Sequence, residues 1–528
     1  MTDSDPDGKD NRCLTDLRVT DPRHDKMRIE DTKGGFVQDG SNWILNHSDF
    51  HRLCNTDEAR LLWIKGDPGK GKTMLLIGII DELERQIKQS HKESSPDDIV
   101  LSYFFCQGTS SDLNNATAVL RGLVYLLGDK YPPLLSHLHK KYDNAGSKLF
   151  KDVNAFFALS EVLEDMLRDA SFSRAYILID ALDECGTDLQ RLLKFIVHST
   201  SESPRVKWIV SSRNISEIER GLILSGHQVR LSLELNREAV SAAVDIYINH
   251  TVSQLSLQKG YNLKIENAVR EHLRKHSDDT FLWVSLVCGN LRKINRWNTL
   301  AKLKEFPPGL EPLYDRMINQ ICSSENVELY KQVLATTTTV YQPVTLAELA
   351  SITELPEEVS EDLEFLEEII GECGSFLAIR DGTIYFVHQS AKDYLSGRAA
   401  ATIFPSGATD VHRTIFSRSQ EAMSMTLRRN IYGLHHPGVV ISKIETPDPD
   451  PLVAIRYSCV HWIGHFCDIY SCSKDEIDVN DSETVGSFFR SFTLRWLEAL
   501  GLIKQMGDGV LSITRLENLL RVSFRLTF

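Results

Sequence analysis

Gly66-Asp67-Pro68-Gly69-Lys70-Gly71-Lys72-Thr73 spaces glycines, a lysine and a threonine as G-x-x-x-x-G-K-[ST]. That spacing suits phosphate. Glycines let backbone N–H groups close around phosphate oxygens. Lys72 can reach β- and γ-phosphates, and the Thr73 hydroxyl can sit on Mg²⁺. The chemistry also needs acids. Asp180 follows the apolar run Tyr176-Ile177-Leu178-Ile179. On a buried strand it would emerge beside the loop and hold Mg²⁺ directly or through water. Asp183 and Glu184 stand three and four residues further on, where one of them could orient or deprotonate an attacking water. Arg213 ends the next apolar run, Lys207-Trp208-Ile209-Val210-Ser211-Ser212. A planar guanidinium there could tell triphosphate from diphosphate. The ligands implied are a nucleoside triphosphate, with ATP and GTP both open, and Mg²⁺.

These residues need a scaffold of alternating strands and helices. Leu61-Leu62-Trp63-Ile64 reads as the strand entering the loop, and Met74 to about Lys88 as the helix leaving it, with Leu76, Ile79, Ile80, Leu83 and Ile87 at helical spacing. Further strands are predicted at Ile99–Phe105, Tyr176–Ile179, Lys207–Val210 and Val229–Leu233, with helices between them. Each strand is continuously apolar, so the expected fold is an α/β core: a parallel sheet with helices on both faces. Trp43, Ile44, Leu45 and Phe50 suggest an apolar-faced helix before the first strand. From Asn236, a good N-cap, the pattern turns to helix after helix. Helices at Leu346–Ile352 and Asp362–Cys373, then a hairpin turning at Asp381-Gly382, fit a winged helix. The expected organisation is a disordered or linker segment over 1–35, an NTPase domain over 36–235, a helical domain over 236–310, a winged-helix domain over 311–400 and a C-terminal helical region over 401–528.

With 528 residues, 42% of them hydrophobic, the chain can build several cores. A formal net charge of -14 argues against nucleic acid as a partner. The 10 cysteines include no C-x-x-C pair and predict reduced thiols. The polar N-terminus and short apolar runs predict a protein without an integral membrane segment, placed in the cytoplasm. His461, His465, Cys467 and Cys472 read as helical packing rather than a metal site.

Gly66–Thr73, then Leu178-Ile179-Asp180-Ala181-Leu182-Asp183-Glu184, then Ser211-Ser212-Arg213, resemble a NACHT domain, a signalling class of P-loop NTPases. The family usually has glycine where this chain has Ala181. Phe386-Val387-His388-Gln389-Ser390-Ala391-Lys392-Asp393-Tyr394-Leu395 is similar to the family's winged-helix signature, with Lys392-Asp393-Tyr394 in place of the usual Gln-Glu-Phe. The resemblance implies that His388 meets the β-phosphate of bound diphosphate. More narrowly, Cys13-Leu14-Thr15-Asp16-Leu17-Arg18, Trp63-Ile64-Lys65 with the loop, Phe281-Leu282-Trp283-Val284 and Pro307-Pro308-Gly309-Leu310 look like fungal NACHT proteins of the heterokaryon-incompatibility type. That resemblance implies a nucleotide-controlled switch in non-self recognition or programmed cell death, with self-association on activation. Such proteins usually continue into WD40, ankyrin or tetratricopeptide repeats and often begin with an effector domain; neither is expected within these residues. The alternative is a nucleotide-binding scaffold with negligible hydrolysis. A metabolic kinase is disfavoured, because the C-terminal half reads as regulatory helices.

Overall fold

A computed structural model describes residues 6–32, 38–92, 99–223, 226, 228–373, 376–436, 439–441, 444–471 and 479–526. The chain divides into two compact units, Met1–Leu313 and Tyr314–Phe528. The segments expected at 1–35, 36–235 and 236–310 therefore share one unit.

The first unit begins with helices α1 (Pro6–Leu17), α2 (Pro22–Thr32), α3 (Gln38–Leu45) and α4 (Ser48–Asn55). Strand β1 (Leu61–Lys65) leads through the glycine loop into α5 (Lys72–Lys92), and β2 (Ile99–Phe105) leads into α6 (Ala116–Lys130). Strands β3 (Arg174–Asp180), β4 (Val206–Ser212) and β5 (Gln228–Ser232) complete the sheet. All neighbours are parallel, in the order β2-β3-β4-β1-β5. Continuous apolar runs form β1 to β4 because both faces are covered: Trp63, Ile177 and Trp208 are fully buried, whereas the edge strand β5 alternates and exposes Arg230, against the continuous run expected there. Helix α5 runs on past Lys88, where the sequence places its end, to Lys92; residues 93–98 lie outside the described residues.

Residues 6–32 correct the expectation of a disordered or linker segment; residues 1–5 lie outside the described residues. Cys13 and Leu17, four apart on one helical face, have 0% exposure and join the core of the α/β unit. Arg121 of α6 donates to the carbonyls of Leu17 at 2.8 Å, Asp16 at 3.0 Å and Arg18 at 3.3 Å. Those carbonyls at the end of α1 would otherwise lack partners, and a cation there also suits the helix dipole. Arg23 pairs with Asp21 and with Asp129, each at 2.7 Å, and Lys26 pairs with Asp81 at 2.7 Å. The segment is polar overall because it buries a single narrow stripe, which is why its composition reads as linker.

Helices Arg237–Lys259, Leu263–His276 and Phe281–Lys293 close the first unit. Asn236 precedes the first of these but does not cap it through its side chain. Its amide nitrogen donates back to Ser232 O at 2.8 Å, and its Oδ1 lies 3.1 Å from His47 Nε2.

In the second unit, helices Leu346–Ile352, Leu363–Glu372 and Gln389–Ser396 accompany a small antiparallel sheet. Its strands are β6 (Val344–Thr345), β7 (Leu377–Arg380) and β8 (Thr383–Phe386), in the order β6-β8-β7. Asp381 (φ 48°) and Gly382 (φ 72°) are both left-handed, as a two-residue hairpin turn requires. Helices Ala408–Thr426, Arg456–Ser471, Val479–Leu502 and Met506–Leu526 follow. They enclose a core holding Phe416, Trp462 and Trp496. Among the described residues no helix is long and apolar enough to cross a membrane.

The buried stripe of α1 gives a direct test. Leu17→Ala is expected to destabilise the protein by about 2–5 kcal/mol, the usual cost of a core leucine truncation. Denaturant unfolding followed by tryptophan fluorescence measures it; a linker leucine would leave the midpoint unmoved.

Candidate functional site

The site lies at the carboxyl ends of β1, β3 and β4. Register places Lys65 opposite Ser212 and Ile179 opposite Val210, so β4 sits between the strand entering the glycine loop and the strand ending at Asp180. Arg213 therefore emerges between Gly66 and Asp180. Gly66 N donates to Ser212 O at 3.3 Å, fastening the first glycine to β4.

Within the loop, Gly69 and Gly71 have φ of 77° and 87°. That conformation disfavours any side chain, and there is also no room for one. A Cβ on Gly69 would stand 2.7 Å from Thr280 Cγ2, and one on Gly71 would stand 2.8 Å from Phe281 Cε2. The segment Asp278–Leu282 thus packs directly on the loop. Asp278 and Asp279 turn it with φ of 47° and 53°. Lys70 Nζ donates to Asp278 O at 2.6 Å, and Asp279 pairs with Arg237 at 2.8 Å. Lys72 opens α5 with Thr73 in its first turn. Its ammonium donates to the loop's own carbonyls, Gly66 O at 2.5 Å and Asp67 O at 3.0 Å. Burial holds the Lys72 pKa below its usual value, against the opposing pull of Asp183 and Asp180.

The acids take separate positions. Asp180 is 3% exposed, and its Oδ1 accepts from Ser211 Oγ at 2.5 Å. Ser211 Oγ also accepts from Ala181 N at 2.9 Å, tying the acid's backbone to β4. Asp183 is committed to Arg213: one oxygen accepts from Arg213 N at 3.0 Å, the other from Nε at 3.1 Å. Glu184 points elsewhere. Its Oε2 accepts from Gly108 N, just past β2, at 2.8 Å. Burial pushes its pKa up to about 7; the Asp183 charge adds to this, and the Gly108 N–H opposes it. Of the two acids, Glu184 is the one poised to accept a proton near neutrality. The strand-to-acid turn passes through Ala181 at φ 52° and ψ 50°, left-handed space that costs a non-glycine residue about 1 kcal/mol or more. Beyond Glu184 the chain rejoins α6: Gly186 N donates to Asn114 O at 2.6 Å and Ala116 N to Thr187 O at 3.0 Å. Asn115 caps α6 through Ala118 N at 2.8 Å.

Gly66, Asp67, Pro68, Gly69, Lys70, Gly71, Lys72, Thr73, Asp180, Asp183, Glu184 and Arg213 therefore all lie in the first unit, at the strand ends. His388 lies in the second unit, where its Nδ1 accepts from Ser390 N at 3.1 Å and caps the helix Gln389–Ser396. Glu234 escaped the sequence reading, as did the packing of Asp278–Leu282 on the loop, where Phe281-Leu282 reads only as part of a family resemblance. Glu234 Oε1 accepts from Asp67 N at 2.8 Å, and its Oε2 from Ser232 Oγ at 2.9 Å. Burial works to raise its pKa, but the hydrogen bonds from Asp67 and Ser232 hold it below the usual value. An acid one residue beyond Leu233 was the available signal; for Asp278–Leu282 it was two aspartates ahead of a helix start. Among the described residues no cluster of histidine, cysteine and acid could hold a metal elsewhere. Cys472 lies outside the described residues.

Two predictions follow from the acids. Glu184 binds its proton more tightly when folded, so its ionisation subtracts stability as pH rises from about 5 to above 7. Glu184→Gln should exceed the parent by about 1 kcal/mol or less at pH 5 and by about 3 kcal/mol at pH 8; unfolding midpoints at both pH values measure this. Ala181→Gly should raise stability by about 1 kcal/mol by removing the left-handed strain; a lowered midpoint would contradict the strain.

The comparisons agree with this geometry. The family profile described as "Nephrocystin 3, N-terminal" matches residues 40–213, from α3 through Arg213. The vegetative incompatibility protein HET-E-1 of Podospora anserina is 47% identical over 534 residues, covering 98% of this chain and 39% of that protein. The chain thus spans well under half the length of that relative. Among solved structures, the Walker-type ATPase PABY2304 of Pyrococcus abyssi shares 12% identity over 68% of this chain and 96% of that one, with a TM-score of 0.31. A Drosophila ORC structure bound to DNA shares 13% identity over 66% of this chain and 83% of that one, with a TM-score of 0.32. At these TM-scores neither adds to the argument, and the fold rests on the strand order itself. By its loop, its acids and its similarity along nearly its whole length, the chain belongs to the NACHT-type P-loop NTPases of the fungal heterokaryon-incompatibility kind.

Proposed function

We propose that the first unit binds a nucleoside triphosphate with Mg²⁺, hydrolyses it slowly, and serves as the switch of a fungal non-self-recognition or cell-death protein. The observation that carries the reading is the convergence of Lys72, Asp180 and the Asp183–Arg213 pair at the ends of adjacent strands, with Glu184 in the turn that joins the acids. The residues fit the ligands. The Lys72 ammonium rests on carbonyls that a phosphate could replace as its partner. Thr73 and Asp180 form a hydroxyl and carboxylate donor set of the hard kind that Mg²⁺ takes. When bound, Mg²⁺ would neutralise phosphate charge.

Each side chain then has a part. Lys72 binds the β- and γ-phosphates. Glu184, with its raised pKa, takes the proton of the attacking water. Asp183 orients Arg213, whose guanidinium reads the γ-phosphate. Glu234 holds the Asp67 amide and so sets the loop's entry. The hairpin and helices around His388 are read as a winged helix, with His388 meeting the β-phosphate of the diphosphate state. Loss of that contact on exchange would allow self-association in the cytoplasm.

Lys72→Ala should weaken nucleotide binding roughly tenfold to hundredfold, the loss expected for a charged hydrogen-bond partner. Titration with fluorescent ATP and GTP analogues reads this and identifies the preferred base. Glu184→Gln should keep binding and lose single-turnover hydrolysis. Equal hydrolysis by variant and parent at the background rate would make the unit a nucleotide-bound scaffold instead.

A further inference from the structure

The second unit carries a cleft of about 480 Å³, bounded by Thr338, Tyr341, Ala401, Phe404, His412 and Asp468, among others. Most polar groups on its wall are already satisfied by the protein. Thr338 Oγ1 donates to Leu334 O at 2.6 Å, Thr339 Oγ1 to Ala335 O at 2.8 Å, and Ser396 Oγ to Lys392 O at 2.6 Å. Tyr341 OH donates to Asp468 Oδ2 at 2.5 Å, and Arg515 pairs with the other Asp468 oxygen. The carboxylate is thereby neutralised and its oxygens are engaged.

His412 is different, and a buried relay behind it fixes its proton. Tyr457 is fully buried, and its hydroxyl oxygen accepts from Tyr341 N at 3.2 Å. Among the described residues the buried Tyr457 proton has no acceptor other than His465 Nε2, 2.7 Å away, and a buried hydroxyl proton left unbonded would be costly, so it goes there. His465 must therefore carry its proton on Nδ1, where it lies 2.8 Å from His412 Nδ1. Two ring nitrogens at that distance bond only if one is protonated. His412 thus accepts on Nδ1 and holds its proton on Nε2, which has no hydrogen-bond partner among the described residues. Burial lowers the pKa of both imidazoles, consistent with two neutral rings.

We propose that this cleft is a binding site for a small, largely apolar, uncharged molecule with one hydrogen-bond acceptor, such as a carbonyl oxygen, received by His412 Nε2–H. The volume falls in the range of small-ligand sites, which combine apolar walls with a few fixed polar groups. Ala401 and Phe404 supply apolar surface. An anion would meet the Asp468 carboxylate, and a cation would find that carboxylate already engaged by Arg515 and Tyr341.

The test uses the full chain with two matched probes, acetophenone and ethylbenzene, titrated by ligand-observed NMR. Acetophenone should bind about tenfold more tightly, the increment of one hydrogen bond. His412→Phe should erase that preference, and Ala401→Trp, placed at the exposed mouth, should abolish binding of both probes. Unchanged helical circular dichroism and an unchanged unfolding midpoint report that each variant is folded. Absence of binding by either probe, equal binding of the two by the parent, or probe binding undisturbed by Ala401→Trp would each overturn the assignment. If His412→Phe fails to fold, the Ala401→Trp result and the ketone preference of the parent decide the matter.

Discussion

The parallel ladder that seats β4 between β1 and β3 is the constraint on which the site depends. Hydrogen bonds along β4 set the distance between the glycine loop on one side and Asp180 on the other. Ser211 and Ser212 then do more than fill the strand. Ser211 holds the Asp180 carboxylate and the Ala181 amide, while Ser212 receives the Gly66 amide through its carbonyl and the Trp63 indole through its hydroxyl at 2.8 Å. Small hydroxyl side chains suit this place. They reach both neighbours without separating strands that must stay about 4.8 Å apart.

Electrostatics at the strand ends is a matter of unequal burial. Arg213 and Asp183 face each other as an ion pair at 3.1 Å, each offsetting part of the other's desolvation. Glu184 has only an amide in direct contact, and burial outweighs that amide and the more distant Arg213, so its proton affinity rises. Lys72 has only carbonyl dipoles in direct contact, and its proton affinity falls. Two groups shifted in opposite senses within one cluster are the arrangement from which acid–base chemistry is built.

Much of this was readable before any coordinates. Four strands announce themselves as mostly apolar runs, the edge strand β5 alternates around the exposed Arg230, and the phosphate loop and acids carry their own spacing. What stayed hidden has physical reasons. Cys13 and Leu17 are two apolar positions in a polar helix, too few to mark a buried face. Glu234 and Phe281 act through tertiary approach, and neither has a local pattern tied to a loop some 160 or more residues earlier. Asn236 has the right chemistry for a cap, but the end of β5 claims its side chain first. The left-handed backbone at Ala181 was visible only as an unexpected methyl where related chains carry glycine.

The strap from Glu184 to α6 gives the domain a mechanical property. Thr187 grips the first turn of α6, and Arg121, six residues past Asn115, grips the end of α1. A helix is stiff along its axis, and the two grips are separated by roughly 9 Å of it. Displacement of the acid-bearing turn would therefore push α6 as a rod, and α1 would travel with it. The acid-bearing end of the sheet and helix α1 are in this sense two ends of one lever.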